Sequence, residues 1–229
     1  MEGDAAPAPS PEIVIRPSSD ADVAAMIAIY EHHIGKGVGD TGDFEEERLL
    51  PDDLKRRRKT MRKKRLPHLV AERNGEVAGY AYAVPFRKRP AYRYTLKHSI
   101  YVHHGHLHAG VGRRLLPALI EACAAGGYRQ MIGYIDAANE ASLRLHETCG
   151  FRRVGYLPSV GYKYGRWTDS VMVQCALGTG GDDQPAPRVV RPVEGADRND
   201  RVAVHSPRPA CGERAATTLS SARRGGSRR

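Results

Sequence analysis

The sequence predicts an α/β fold in which a mixed, mostly antiparallel sheet is flanked by helices. Three observations predict it. Apolar runs with strand character alternate with segments of helical period, in the order strand, two helices, three strands, helix, strand, helix, two strands. Asn74-Gly75 stands between two such runs, the strongest short-range hairpin signal, so those strands pair antiparallel. With 229 residues, 41% of them hydrophobic, the chain can bury one core of ordinary size and still carry extensions.

The elements follow in order. Residues 12–16 (EIVIR) read as a strand, punctuated by Pro17-Ser18-Ser19-Asp20 before a helix over about 22–34, with Val23, Met26, Ile27 and Tyr30 on one face. A Gly-rich loop (35–42) leads to a second helix near Pro51, a residue suited to a first helical turn. Nine of the eleven residues at 55–65 are basic, and Leu54, Arg58, Met61 and Arg65 share one face, so only a thin apolar stripe anchors this helix. Residues 68–72 (HLVAE) and 77–84 (VAGYAYAV) are the hairpin strands, and 99–103 (SIYVH) a third. Then come a Gly-punctuated loop, a helix from 112 to 123 or beyond, a strand at 129–135, a helix at 140–149 and strands at 151–157 and 170–177.

Around this domain, residues 12–178, the ends differ. Residues 1–11 read as a flexible N-terminus, and residues 179–229, rich in Pro, Gly, Ser, Asp and Arg without any apolar period, as a disordered tail. No run of about 18 apolar residues exists and the N-terminus has neither a basic nor an apolar signal region, so a cytoplasmic protein that neither spans nor binds a membrane is expected. The net charge is +10, yet the basic helix has no interleaved aromatic residues for base stacking, so a solvated helix face is favoured over a nucleic-acid surface. Cys123, Cys149, Cys175 and Cys211 form no CxxC pair and lie at no zinc spacing. The histidines His103, His104, His106 and His108 have no carboxylate companion, and no metal is expected.

The chemistry concentrates in residues 100–116, IYVHHGHLHAGVGRRLL. A strand runs into a loop whose Gly110 and Gly112 lie where a helix opens, so free N–H groups and the positive helix end converge, an arrangement that binds phosphate. Arg113 and Arg114 add charge in the first turn. About thirty residues on comes Asn139-x-x-Ser142-x-x-x-His146-x-x-x-Gly150-Phe151. Together these resemble the GNAT superfamily of N-acetyltransferases, with its Gln/Arg-x-x-Gly-x-Gly/Ala cofactor loop and its later helix opened by Asn and closed by Gly-Phe.

Within that superfamily the chain is similar to phosphinothricin and methionine sulfoximine acetyltransferases. The matching residues are Ile15-Arg16-Pro17, His68-Leu69-Val70-Ala71-Glu72, Gly79-Tyr80-Ala81-Tyr82-Ala83, Pro85-Phe86-Arg87, Ala91-Tyr92, Tyr101-Val102, Leu145-His146-Glu147 and Gly165-x-Trp167-x-Asp169. The resemblance implies direct transfer of an acetyl group from acetyl-CoA to the amine of a small amino-acid-like molecule. It implies cofactor contacts from Ile100, Tyr101, Val102, His108, Ala109, Gly110, Val111, Gly112, Arg113 and Asn139, and acceptor contacts from Arg87, Arg89, Tyr92 and Lys97. The cofactor would lie where the strand ending at Val102 splays from the strand at 129–135. Other readings are acetylation of a different amine or a protein N-terminus, or a CoA-binding module that uses its basic helix on RNA. Monomer and homodimer stay open.

Two positions depart from the family pattern. Leu107 stands where the loop opens with Gln or Arg, and Lys97 where the group carries a Glu as presumed base. Only a neutral amine attacks a thioester. Lys97 therefore either lowers the acceptor's amine pKa or holds its carboxylate, while His98 takes the proton, with a rate that rises through the ordinary histidine range. Strand neighbours face opposite sides, so Lys97 and His98 reach one site together only across a bulge; otherwise one of them merely faces solvent. His146, where the superfamily often has a Tyr, would protonate the leaving thiolate, or else pack under the sheet. Phe86, Tyr92, Tyr162 and Trp167 are open between core and pocket wall.

Overall fold

The computed structural model describes residues 12–35, 50–163 and 165–185. Strand β1 (Ile13–Pro17) pairs antiparallel with β2 (His68–Arg73), and β2 with β3 (Glu76–Pro85). The β2–β3 turn has Asn74 at φ 55° and Gly75 at φ 79°, the doubly left-handed geometry that Asn-Gly is suited to supply. Next are β4 (Thr95–Val102), helix α3 (Val111–Ala125), β5 (Gln130–Asp136), helix α4 (Glu140–Thr148), β6 (Arg152–Lys163) and β7 (Arg166–Ala176). Among the described residues the sheet has seven strands in the order β1-β2-β3-β4-β5-β7-β6. Its β4–β5 pair is parallel and every other pair antiparallel.

Each face of the sheet buries its own core. Under α3 and α4 lie Leu115, Leu116, Leu119, Leu143, Met131 and Val173. On the other face, helix α1 (Val23–Gly35) and helix α2 (Pro51–Lys63) cover Val70, Tyr80 and Tyr101 with Val23, Met26, Ile29 and Leu54. The chain turns into α1 through Asp20–Asp22, where buried Asp22 accepts from the Ser19 backbone N–H at 2.6 Å and from Arg16 at 2.8 Å.

Several boundaries differ from the sequence expectation. Strand β4 begins at Thr95 and not at Ser99, because pairing with both β3 and β5 recruits its first four residues. Strand β6 runs on through Pro158 to Lys163, with a register shift between Leu157 and Gly161 and Ser159 at φ 48° absorbing the irregularity. Helix α2 ends at Lys63; Arg65 is left-handed and exposed, and the buried stripe is Leu54 and Met61, joined by Arg58, which bonds Ser18 and Asp20. Tyr162 and Trp167 are 59% and 64% exposed on the β6–β7 hairpin, so neither is core. Beyond β7, residues 178–181 form turns and 182–183 a bend, with Asp183 bonded to Arg129 at 2.9 Å. The expected N-terminal segment, the Gly-rich loop from 36 on and the tail beyond 185 lie outside the described residues.

Candidate active site

The site starts from a gap in the sheet. Strands β4 and β5 pair only at Thr95–Gln130, Leu96–Met131 and Lys97–Ile132, although β4 continues to Val102 and β5 to Asp136. Past Lys97 the two strands part, and a wedge opens beside Ile100, Tyr101 and Val102. The Tyr101 ring turns into the α1 core, stacked on Tyr80 at 4.8 Å, so this residue offers the wedge its backbone only. From α1, Nε2 of His33 donates to the Val102 carbonyl at 2.8 Å, a contact the sequence did not suggest.

From the end of β4 the chain makes a short turn, His104–His106, and then alternates hands into α3. His108 has φ 61° and Gly110 φ 83°, and α3 starts at Val111. Left-handed residues in alternation curl successive N–H groups inward, and the first turn of α3 leaves its own N–H groups without helical acceptors. The backbone from His108 to Arg113 thus turns its N–H groups toward one concavity at the opening of α3, with exposed Arg113 and Arg114 beside it. Gly112 serves a different purpose: a Cβ there would stand 2.8 Å from a Leu145 methyl of α4, which would have to swing aside. Leu107 is half-exposed and adds no polar contact. Asn139 caps α4, its Oδ1 accepting from the Ser142 N–H at 3.0 Å, so this oxygen is engaged within the fold.

No bulge separates Lys97 from His98, since Val84–Lys97 and Ala83–His98 are consecutive pairs. The two therefore face opposite sides of the sheet. His98 points under the sheet toward α4, where its Nε2 lies 2.9 Å from Nε2 of His146 and Phe151 packs on both rings. Both imidazoles are buried, 4% and 2% exposed, and burial holds both below the ordinary histidine pKa. That burial works against protonation of either ring alone, and so against the expected rise in rate through the ordinary histidine range.

Lys97 opens onto a cavity of about 450 Å³ on the α1–α2 face. Tyr30, Tyr80, Tyr82 and His68 give it an aromatic wall, and Arg56, Arg57 and Lys64 of α2 and its C-terminal end add cationic groups. No carboxylate is among the described lining residues. His68 stacks on Tyr82 at 5.4 Å, its Nδ1 is buried without a hydrogen-bond partner, and burial pushes its pKa down to about 4, keeping it neutral. Of the expected acceptor contacts only Lys97 lines this cavity; Arg87 lies over the Phe86 and Tyr92 rings at 5.1 and 5.5 Å on the β3–β4 connection, and Arg89 is exposed there. His68, Arg56, Arg57 and Lys64 were not singled out by sequence. A signal existed for His68 alone, which pairs across from Tyr82 in the hairpin that Asn74-Gly75 sets.

Burial pushes the Cys123 thiol up to about 12 and raises Cys149 and Cys175 as well, so these three do not offer a thiolate nucleophile. No group of three His, Cys, Asp or Glu side chains poised for a metal occurs among the described residues, and no described helix is long and apolar enough to cross a membrane.

The chain is similar to known proteins in sequence and fold. Residues 28–151 match the acetyltransferase (GNAT) family. A phosphinothricin N-acetyltransferase of Alcaligenes faecalis is 45% identical over 174 residues, 75% of this chain and 86% of that protein. The L-methionine sulfoximine/L-methionine sulfone acetyltransferase of Salmonella typhimurium is 37% identical over 178 residues, 76% and 98% of the two chains. The crystal structure of a phosphinothricin acetyltransferase from Sinorhizobium meliloti in complex with acetyl-CoA superposes with a TM-score of 0.71 at 35% identity, covering 76% of this chain and 93% of that one. A parted β4–β5 pair, an amide-lined loop opening α3 and similarity over three quarters of the chain lead to one conclusion: this protein belongs to the GNAT family of N-acetyltransferases.

Proposed function

We propose that the chain transfers an acetyl group from acetyl-CoA to the α-amine of a small amino acid of the phosphinothricin or methionine sulfoximine type. The observation that carries this reading is that one wedge, closed at Lys97–Ile132, borders a loop with inward-turned amides and lies beside a cation-lined cavity. The loop fits a pyrophosphate: left-handed His108 and Gly110 curl its amides inward, and a Cβ at Gly110 would meet nothing within 4 Å, which leaves open space above the backbone. The parted edge of β4 at Ile100–Val102 suits an extended amide-bearing arm. Bound there, acetyl-CoA supplies an activated acyl carbon and a thiol leaving group.

The chain's own residues do the rest. Cations at Lys97, Arg56, Arg57 and Lys64 favour an acceptor that carries a carboxylate and disfavour a polyamine. A cation near an amine also disfavours its ammonium form, and an α-amine with a pKa of about 7.7–8.0 is already about one-tenth neutral at pH 7. The Glu-to-Lys replacement at position 97 is thus compatible with an α-amine and far less so with a lysine side chain. Steady-state assays with acetyl-CoA and a panel of L-phosphinothricin, L-methionine sulfone, other L-amino acids and spermidine test this. Thiol release with the amino acids and not with spermidine supports the reading; tight acetyl-CoA binding without turnover of any amino acid overturns it in favour of a binding module.

A further inference from the structure

At the floor of the wedge two imidazoles meet nitrogen to nitrogen. Nε2 of His98 lies 2.9 Å from Nε2 of His146. Nδ1 of His98 lies 3.1 Å from the Ile132 carbonyl oxygen, and Nδ1 of His146 lies 2.7 Å from the Ser142 carbonyl oxygen. A carbonyl oxygen only accepts, so each Nδ1 must carry a hydrogen for its contact to be a hydrogen bond. The Nε2–Nε2 contact needs one hydrogen more. Three contacts require three ring hydrogens, and two neutral imidazoles bring two.

We infer that His98 and His146 hold one additional proton between them, shared across the Nε2–Nε2 contact, and act as a single proton carrier in the acetyl transfer. Its existence follows from the contact geometry; its role rests on the function proposed above. The alternatives leave a contact broken. A neutral pair turns one Nδ1 lone pair toward a carbonyl oxygen, and two added protons set two N–H groups head to head. Burial opposes a charge on either ring and on the pair alike, and the three hydrogen bonds that the extra proton completes work against that cost. The groups facing the pair are few: the two carbonyls, the Ser142 hydroxyl 3.4 Å from Nδ1 of His146, apolar Phe151, and Lys97 acting on His98 from the other face of the sheet.

The chemistry balances. The neutral amine's lone pair forms the C–N bond at the thioester carbon, and the C–S bond breaks with its electrons left on sulfur. The shared proton passes to that thiolate, and the proton shed by the acylated nitrogen returns to the pair, by way of water where distance demands it. No other reactant is consumed, and the pair ends as it began.

Nuclear magnetic resonance of the full chain with ¹⁵N-labelled histidine, without acetyl-CoA, counts the ring hydrogens. The expected result at pH 7 is a hydrogen on each Nδ1 and a single strongly deshielded hydrogen on Nε2 that vanishes in both His98→Gln and His146→Gln. Two ring hydrogens in the pair throughout pH 6–8 would overturn the inference, and that count on the wild type needs no variant to fold. His98→Gln keeps an N–H beside His146 and cannot carry a proton, so kcat should fall about 10²-fold at unchanged acetyl-CoA affinity. Undiminished kcat overturns the carrier role. A wild type that acetylates no amine while showing three ring hydrogens overturns the proposed function instead.

Discussion

Gly133→Ala is the perturbation that reports most sharply on the floor of the wedge. A Cβ at this position would stand 2.7 Å from Cε1 of His98 and 3.0 Å from Cγ2 of Val173. Ordinary carbon–carbon contacts lie at about 3.5–4.0 Å, so the imidazole would have to retreat by about 0.8 Å or more. It has little room, being held by the Ile132 carbonyl on one side, His146 on the other and Phe151 at 5.0 Å between ring centres. Overpacking of this kind costs about 1–3 kcal/mol, and for a domain of this size each kcal/mol lowers Tm by about 2–4 °C. Thermal melting followed by circular dichroism should therefore show Gly133→Ala down by about 2–12 °C. The double variant Gly133→Ala/His98→Ser should recover part of that loss relative to the sum of the two single changes, because the smaller side chain vacates the clash. An unchanged Tm in Gly133→Ala, or strictly additive effects in the double variant, would refute the packing argument.

Three further outcomes follow from the geometry. Gly110→Glu puts a carboxylate and a Cβ at φ 83° into the amide concavity, so acetyl-CoA affinity measured by calorimetry should collapse in a folded protein; retained affinity would sink the loop assignment. Deleting residues 186–229 should leave Tm and activity within error, whereas cutting before Asp183 removes its bond to Arg129 and should cost at most about 1 kcal/mol, read by denaturant melts. For pH, Asp22 is held down to about 2 by its hydrogen bonds from Arg16, and His68 is pushed down to about 4 by burial. Both folded-state values lie below the unfolded ones, so the unfolded chain binds more protons and stability is lost as pH falls, first from about 6.5 to 4 through His68 and then from about 4 to 2 through Asp22. Asp22→Asn should make the lower limb shallower and His68→Phe the upper one, the latter only in part because burial holds His33 below the ordinary histidine value as well; a slope unchanged in its variant, read by urea melts, contradicts the assignment.

The parts of the fold that were legible in sequence are those set by local chemistry. Asn74-Gly75 specified its hairpin because few other dipeptides take two left-handed residues in a row, and Gly110 with Gly112 marked the loop because glycine takes a positive φ without strain and leaves room for Leu145. The alternation of strand side chains correctly warned that Lys97 and His98 part company. What escaped was set by pairing at a distance. The start of β4 was missed, because Thr95 and Leu96 are drawn into the strand only as β3 and β5 close on either side. His98 and His146 are 48 positions apart, and nothing in either neighbourhood announces a 2.9 Å contact. The cavity is likewise a product of tertiary packing: Arg56, Arg57 and Lys64 read as a solvated helix face until α2 lies over the sheet and turns part of that charge toward His68 and Lys97.

The central claim is direct acetyl transfer to an amino-acid nitrogen with Lys97 in the place of a carboxylate and no acylated cysteine. A single-turnover experiment tests it most directly, mixing the protein preloaded with acetyl-labelled acetyl-CoA against L-phosphinothricin and quenching over time. Label should move from the cofactor to the amino acid, with one thiol released per product and none of the label on the protein at any time. Label trapped on a cysteine of the chain, or label that stays on acetyl-CoA in the presence of saturating amino acid, would contradict it.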